Sequence, residues 1–284
     1  MRPVNGGVRF NLRKMRVDAA STVRYVLDAG DEPVAMHQLL GGRVVLRFSG
    51  VIHCVACGRR TNKSFSQGYC FQCFRSLPSC DRCIVSPELC HYAAGTCRDP
   101  EWGLRTCFAP HVVYLANSSG LKVGITRSTQ TPTRWIDQGA RAALPIVTVP
   151  DRLASGRVES AMKQHVADKT NWRAMLKGDP PGVDLHEARD KLLAECRDAL
   201  AQVPGAVAVD DAEVLTLRYP VSRYPDKVRA LTAEKMPEVS GRLDGIKGQY
   251  LLLDTGVFNV RRHTGYECTM WVENEAFASR SATC

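Results

Sequence analysis

Nine of the twelve cysteines in this chain lie between Cys54 and Cys107. Four of them form two Cys-x-x-Cys pairs, at positions 54 and 57 and at positions 70 and 73, with twelve residues between the pairs. Each pair can direct two sulfurs at one ion, so the four thiolates suit a tetrahedral Zn²⁺. The stretch has few aliphatic residues and could not bury enough apolar surface to fold without a crosslink. The sequence therefore predicts a zinc-binding module, with Cys54, Cys57, Cys70 and Cys73 as ligands of the first ion.

A third Cys-x-x-Cys pair follows directly and predicts a second zinc. We expect Cys80 and Cys83 to be ligands of this ion, while four further residues compete for its two remaining places. A cross-braced arrangement, in which the first and third pairs share one ion, stays open at this point. Structural zinc sites normally have four protein ligands and no open position, so we assign neither ion a catalytic role. The four competing residues are Cys90, His91, Cys97 and Cys107.

Charge and composition narrow the class of protein. The hydrophobic fraction is 44% and the charged fraction 24%, as in globular proteins, and no apolar run approaches the length of about 20 residues that a membrane span needs. Residues 1–15 carry basic side chains without the apolar core of a secretion signal. We therefore expect a cytoplasmic protein with reduced thiols and no membrane partner. The net charge of +9 favours a polyanionic partner such as nucleic acid.

Changes in residue pattern divide the chain into five segments. Runs of β-forming residues at 23–27 and 44–48, with Gly-containing turns, indicate a β-rich beginning. A similar pattern over 239–271 predicts a C-terminal β lobe, and residues 41–50 and 241–250 are alike enough to belong to one β unit. The segments are 1–53, β-rich; 54–110, cysteine-rich; 111–178, α/β; 179–235, a helical connector; and 236–284, β-rich.

The central segment has the pattern of a hairpin followed by helices. Strands are predicted at 112–115 and 121–125, because Asn, Ser and Gly between them favour a turn. We expect one helix after Pro132 and another after Ser155, where Val158, Met162 and Val166 recur at spacings of four. Apolar residues recurring over 185–203 predict an amphipathic packing helix.

Short motifs in this segment resemble those of the GIY-YIG nuclease superfamily. Residues 112–114 read Val-Val-Tyr, residues 122–124 read Lys-Val-Gly, and Arg134 is followed by Trp135. The resemblance covers about 60 residues, to roughly Trp172. In that superfamily the two motifs sit on neighbouring strands, an Arg lies on the first helix and a Glu on a later helix binds a divalent metal. The resemblance therefore implies an α+β protein with a small GIY-YIG-like α/β domain, a zinc-binding cysteine-rich module and β-rich ends.

The same resemblance implies which residues would act on a phosphodiester. Lys122 occupies the position of the usual second-motif tyrosine, as in one branch that also has later His and Trp positions. Phosphodiester cleavage needs an activated nucleophile, charge stabilisation and a Lewis acid, here Mg²⁺ or Mn²⁺. The implied site residues are Tyr114, which would position or deprotonate the water; Lys122, a second positive charge; Gly124; Arg134, which would pair with phosphate; Glu159, the metal ligand; and His165, a supporting residue.

Each of these residues also has an ordinary structural interpretation. Tyr114 can fill a strand position, Arg134 can form a surface ion pair, and Glu159 can pair with Lys163 four residues on. Their joint occurrence in the superfamily's order favours the functional interpretation. Residues 111–173 contain nine Lys or Arg and four Asp or Glu, which fits a surface that faces phosphates.

Three hypotheses about function follow from the sequence. The leading one is a zinc-stabilised nucleic-acid-binding protein that is a metal-dependent endonuclease, with DNA favoured over RNA. The second is a non-catalytic nucleic-acid or protein-binding adaptor with a degenerate GIY-YIG-like domain, and Lys122 motivates it. The third is a protein-binding zinc scaffold. Most of the chain also resembles a family of bacterial proteins of uncharacterised function, and neither the substrate nor the oligomeric state follows from the sequence.

Overall fold

The computed structural model describes residues 7–30 and 32–273. Residues 1–6, 31 and 274–284, which belong to the predicted β-rich ends, lie outside the described residues. Within the described ranges the chain is a mixed α+β protein, as predicted. Its strands are β1 (Val8–Asn11), β2 (Arg16–Asp18), β3 (Arg24–Ala29), β4 (Glu32–Ala35), β5 (Arg43–His53), β6 (Arg60–Thr61), β7 (His111–Asn117), β8 (Leu121–Arg127), β9 (Ala142–Val149), β10 (Val207–Ala208), β11 (Leu215–Thr216), β12 (Ala230–Leu231), β13 (Glu238–Lys247), β14 (Tyr250–Leu253), β15 (Gly256–Asn259) and β16 (Tyr266–Glu273).

The helices are short. In chain order the α-helices are α1 (Phe71–Ser76), α2 (Pro100–Thr106), α3 (Thr133–Asp137), α4 (Arg152–Met162), α5 (Trp172–Met175), α6 (Leu185–Glu195) and α7 (Arg197–Ala201). Single turns of 3-10 helix lie at Met36–Leu39, Pro78–Cys80, Arg82–Ile84, Pro87–Leu89, Tyr92–Ala94, Ser128–Gln130 and Arg261–His263. None of the helices in the described ranges has the length and apolar character needed to cross a bilayer.

The chain divides into two compact units. The terminal unit combines Met1–Phe74 with Arg218–Cys284, and the central unit is Arg75–Leu217. An eight-stranded sheet in the terminal unit has the order β1-β16-β5-β13-β14-β15-β12, with β6 added to β5. Because β5 and β13 pair antiparallel in this sheet, the prediction that residues 41–50 and 241–250 belong to one β unit is confirmed. Strands β2, β3 and β4 form a second, three-stranded sheet.

The central unit is built on a five-stranded sheet with the order β10-β9-β7-β8, in which β11 also pairs with β9. Strand β7 lies between β8 and β9, and all seven of its residues are buried. A short continuous apolar run of this kind is typical of a strand that neighbours cover on every side. The predicted hairpin is confirmed, and its strands β7 and β8 extend one or more residues beyond the predicted runs.

Helices α3 and α4 follow the hairpin in the order that the sequence predicts. Helix α3 begins directly after Pro132. Helix α4 begins at Arg152, earlier than predicted, because the Asp151 carboxylate caps it by accepting the backbone N–H of Ala154 at 2.8 Å. It ends at Met162, so Val166 packs against the core from outside the helix. The predicted helix over 185–203 is two helices, α6 and α7, which meet at Cys196.

The cysteine-rich segment of the central unit packs against α4. The backbone N–H of Arg152 donates to the Cys107 carbonyl at 2.8 Å, and the Arg152 guanidinium donates to the Ile84 carbonyl. Gly156 lies against the turn Pro87–Leu89 so closely that a Cβ added to it would stand 2.6 Å from Pro87 Cβ and 2.8 Å from the Glu88 backbone nitrogen. The absence of a side chain at this position therefore sets how near the helix and the turn can approach.

We predict that Gly156→Ala destabilises the central unit by about 1–3 kcal/mol, although alanine is the better helix former by about 1 kcal/mol. The added methyl group meets backbone atoms of the turn, which cannot move aside as a flexible side chain can. Urea unfolding followed by circular dichroism measures the change.

Gly178→Ala is the matched control, because a Cβ at Gly178 would meet nothing within 4 Å. We expect its unfolding midpoint to stay at the wild-type value or to rise. An unfolding midpoint for Gly156→Ala at or above the wild-type value would contradict the close packing of helix and turn.

Candidate functional site

The first two cysteine pairs form one cluster in the terminal unit. Cys54 directly follows β5, and a turn brings Cys57 back towards it, with the Gly58 backbone N–H donating to the Cys54 carbonyl at 2.9 Å. Gly58 has φ +69°, a left-handed conformation that favours glycine. Cys70 lies just before α1 and Cys73 lies within it. The turn and the helix therefore present two sulfurs each.

The geometry of this cluster fits a structural zinc. Each cysteine offers a sulfur, and the four ligand atoms lie within 4.8 Å of one another. The Cys57 and Cys70 sulfurs are 3.8 Å apart. Sulfurs at tetrahedral corners about 2.3 Å from a zinc ion stand about 3.8 Å from each other. The four predicted ligands of the first ion are thus brought together in an arrangement that matches a Cys₄ zinc site.

Backbone donors favour a thiolate in this cluster. Burial acts to raise the pKa of Cys54, but the backbone N–H groups of Cys57, Cys70 and Ala56 and the Cys57 thiol outweigh it, and they lower that pKa to about 6. Burial and the neighbouring thiols raise the pKa of Cys73 to about 12. The Cys54 sulfur is therefore anionic at neutral pH, as a ligand of a divalent cation must be.

The remaining cysteines of the predicted module lie in the central unit. A small cavity of about 20 Å³ is lined by the sulfur-bearing residues Cys83, Cys90, Cys97 and Cys107. Burial first, and then the charges of Asp81 and of the other three cysteines, raise the pKa of Cys83 to about 11. Cys80 is buried and is not among the cavity-lining residues in the described part of the chain.

Two polar residues border the same cavity. Ligand atoms of Asp81, Cys83 and His91 lie within 4.8 Å of one another, so they are also a potential metal-binding group. The Asp81 carboxylate is 3.3 Å from His91 Nε2 and 2.9 Å from Arg98 Nε. His91 Nδ1 lies 2.8 Å from the Thr96 hydroxyl. Both ring nitrogens of His91 therefore contact protein groups.

The second candidate site lies on the hairpin of the central unit, where Tyr114 pairs with Gly124. Tyr114 is buried, and its ring meets the Trp135 ring edge-on at 5.7 Å. A Cβ on Gly124 would stand 2.7 Å from the Tyr114 hydroxyl oxygen. Gly124 therefore leaves the space that the tyrosine hydroxyl occupies. Side chains two apart on a strand share a face, so Lys122 lies on the same side of β8 as Gly124.

The Tyr114 hydroxyl and the Lys122 amine meet at one acceptor. Gln138 Oε1 accepts the Tyr114 hydroxyl at 3.1 Å and the Lys122 amine at 2.7 Å. The same amine donates to the Thr170 hydroxyl at 3.3 Å. Sequence reasoning missed Gln138 and Thr170. Gln138 could have been found from its position four residues after Arg134, because residues four apart lie on the same side of a helix.

Arg134 and Glu159 act on the same pair of buried groups. The nearby Arg134 guanidinium acts to lower the pKa of the Tyr114 hydroxyl. The charge of Glu159 acts on both Tyr114 and Lys122. Four of the six predicted catalytic residues therefore lie in one region, on two strands and two helices. Gly124 leaves space there for the Tyr114 hydroxyl.

Burial sets the protonation behaviour of this site. Desolvation is the largest influence on the pKa of Tyr114 and raises it. The charge of Arg134 lowers this pKa and the charge of Glu159 raises it, and the net result is a pKa of about 12. Desolvation and Arg134 lower the pKa of Lys122 to about 8. Desolvation also raises the pKa of Glu159, and the charge of Asp168 acts in the same direction. Lys122 is therefore a group of this site that changes charge near neutral pH.

His165 contacts helix α6. Its Nδ1 is 3.2 Å from the carboxylate of Glu195 on α6, and its side chain is 38% exposed. Within the described ranges, no hydrogen bond or ion pair joins it to Tyr114 or Lys122. Its supporting role remains a prediction.

The family model described as "Protein of unknown function (DUF2797)" matches residues 41–268, and the chain belongs to this family. The match includes both cysteine clusters and the strands and helices that carry Tyr114, Lys122, Arg134 and Glu159. Comparison with curated proteins and with solved structures gave no match.

We predict that Cys57→Ser lowers the zinc content of the purified protein by one ion per chain and lowers the unfolding midpoint of the terminal unit. The reason is that a Cys₄ site loses one of its four ligands, and three sulfurs hold the ion less tightly. Mass spectrometry of metals measures the content. Cys196→Ala, a change at a buried core cysteine, is the control and should keep the wild-type zinc content. An unchanged zinc content in Cys57→Ser would contradict the site.

We predict that Lys122→Met raises the stability of the central unit at pH 7 by up to about 3 kcal/mol, the cost that corresponds to the lowered pKa of the buried amine. Between pH 8 and pH 10.5 the unfolded chain binds more protons at this residue than the folded chain does. Wild-type stability therefore rises over that interval, and the difference from the variant shrinks.

Thermal unfolding from pH 7 to pH 10.5 measures this difference, and Lys169→Met at an exposed position is the control. A Lys122→Met protein that is less stable than wild type at pH 7 would show that the charged amine supports the fold.

Proposed function

We propose that this member of the DUF2797 family is a divalent-metal-dependent endonuclease that hydrolyses phosphodiester bonds, with a GIY-YIG-like domain in its central unit. The observation that carries the proposal is that Tyr114 and Lys122 share the acceptor Gln138 Oε1, with Arg134 and Glu159 near enough for their charges to influence the pKa values of both. Ordinary packing does not require a phenol, an amine, a guanidinium and a carboxylate to gather at one half-buried place, because burying charged groups is costly.

The order of elements in the central unit supports the same proposal. The two motif strands, β7 and β8, are neighbours in the sheet, Arg134 lies on the helix after them, and Glu159 lies on a later helix. This is the arrangement that the GIY-YIG resemblance implies. The fold of the site, its nuclease activity and the preference for DNA over RNA are parts of the proposal.

Arg134 would bind the phosphate. Its planar guanidinium can donate two parallel hydrogen bonds to phosphate oxygens and stabilise the charge that develops when a phosphodiester is attacked. Its charge already influences the Tyr114 hydroxyl, so it lies close to the motif strands. The excess of basic over acidic residues in 111–173 would attract a polyanion to this region.

Glu159 would hold Mg²⁺ or Mn²⁺, with Asp168 as a second carboxylate nearby. Burial is the largest influence on the pKa of Glu159 and raises it; the charge of Lys163 lowers this pKa, the charge of Asp168 raises it, and the charges of Lys122 and Arg152 lower it. Mg²⁺ in such sites is held by one or two carboxylates, with water and substrate phosphate as other ligands. When bound, the ion would supply Lewis-acid stabilisation of the phosphate oxygens.

Lys122 would accept the proton of the attacking water. Tyr114, with a pKa of about 12, stays protonated and acts as a hydrogen-bond donor at neutral pH. The Lys122 amine, with a pKa of about 8, has a sizeable neutral fraction there. A neutral amine keeps two N–H donors, for Gln138 and Thr170, and one lone pair. As the water oxygen bonds to phosphorus and the bond to the leaving oxygen breaks, that lone pair would take the proton.

A second candidate function is a nucleic-acid or protein-binding adaptor that does not cleave. The observation that favours it is the shared hydrogen bonding of Tyr114 and Lys122 to Gln138, because groups bound to one another are less available to a substrate. This alternative predicts binding that weakens with salt, no dependence on Mg²⁺ or Mn²⁺, and no cleavage.

We predict that the protein cleaves DNA in the presence of Mg²⁺ or Mn²⁺, and that Arg134→Ala and Glu159→Gln each slow cleavage by about 100-fold or more. Gel assays on single-stranded and structured DNA and on the matching RNA measure the rates. Arg197→Ala and Glu213→Gln change charge at exposed positions outside residues 111–173 and serve as controls. Cleavage at the wild-type rate in both site variants, or no cleavage of any substrate by the wild type, would contradict the enzymatic proposal.

We predict that kcat/KM rises with pH to a plateau, with an apparent pKa near 8, because the base must be unprotonated. Lys122→Arg should remove this rise and most of the activity, since a guanidinium stays protonated throughout the range. A rate that falls above pH 8 in the wild type would instead show that Lys122 acts as a positive charge.

A further inference from the structure

We propose that the central unit holds a second structural zinc, bound by Cys83, Cys90, Cys97 and Cys107, and that this ion braces the helix carrying Glu159. The proposal concerns metal content and helix stability, so it stands whether or not the protein cleaves nucleic acid. The proposed set of ligands leaves out Cys80, which the Cys-x-x-Cys spacing predicts as a ligand.

The shape of the site indicates a single ion. The four cysteines line one cavity of about 20 Å³, which is room for about one water-sized particle and too little for an organic ligand. A Cβ on Gly103 would lie 3.5 Å from the Cys97 sulfur, so α2 closes one side of the cavity. Four soft sulfur ligands around one small cavity favour zinc in a structural role.

The polar residues beside the cavity have other partners. The Asp81 carboxylate contacts His91 and Arg98, and the second ring nitrogen of His91 contacts Thr96. A carboxylate, an imidazole and a guanidinium joined in this way form a hydrogen-bonded layer around a sulfur site, as outer residues commonly do at metal centres. Their closeness to Cys83 makes Asp81 and His91 the rival ligands that an experiment must exclude.

Contacts between the cysteine-rich segment and α4 give the ion its structural effect. Cys107 accepts the backbone N–H of Arg152 through its carbonyl, at the first turn of α4. The Arg152 guanidinium donates to the carbonyl of Ile84, next to Cys83. Pro87 packs against Gly156 in the middle of the helix. An ion that joins residues 83 to 107 therefore fixes the surface on which α4 rests, and α4 positions Glu159.

The test is a count of zinc ions per chain in the full-length protein and its variants. The wild type should bind two, and Cys83→Ser and Cys97→Ser should each bind one, while Cys80→Ser and His91→Ala should keep two. In the variants that lose the ion, hydrogen exchange of residues 152–162 should accelerate by about tenfold or more. One zinc in the wild type, or loss of an ion in Cys80→Ser or His91→Ala with two retained in Cys97→Ser, would overturn the proposal.

X-ray absorption at the zinc edge keeps the proposal testable if a variant fails to fold. The wild-type protein should show only sulfur in the coordination shell, averaged over both ions. A nitrogen or oxygen contribution of one ligand in eight or more would assign His91 or Asp81 to the second ion and contradict the all-cysteine site. Neither readout uses nucleic acid, so its outcome is separate from that of the cleavage assays.

Discussion

The pairing of β7 with β8 is the constraint on which the candidate site depends. This register places Tyr114 opposite Gly124, and a residue with a Cβ there would collide with the tyrosine hydroxyl. A shift of one residue would turn Tyr114 and Lys122 to the other face of the sheet. With the register fixed, the phenol and the amine meet at Gln138, and Arg134 and Glu159 act on them from α3 and α4. Burial then raises the pKa of Tyr114 and lowers the pKa of Lys122 from their usual values.

Local patterns in the sequence predicted much of this arrangement. The Cys54 and Cys70 pairs, the hairpin and the start of α3 follow from residues close together in the chain, and the structure has all of them. Gln138 and Thr170 were missed, because an amide and a hydroxyl carry no signal until the fold brings them to a buried amine. The break at Cys196 was missed because apolar residues continue at helical spacing across it.

The two cysteine clusters show where sequence spacing stops being informative. As one stretch, residues 54–110 look like a single module, yet the first cluster belongs to the terminal unit and the remaining cysteines to the central unit. The Cys-x-x-Cys pattern identifies the clustered cysteines correctly where two complete pairs are present, as at Cys54 and Cys70. The later cysteines line a cavity beside α2, where Gly103 lies close to Cys97, and no spacing rule encodes this packing.

The central claim is that Glu159 holds a divalent cation beside Arg134 and Tyr114. A crystal grown with Mn²⁺, with diffraction data collected at the manganese absorption edge, tests it most directly. The account predicts an anomalous peak next to the Glu159 carboxylate in the wild type and none there in Glu159→Gln, with the protein otherwise superimposable. A well-ordered site with saturating Mn²⁺ and no peak near Glu159 would contradict it.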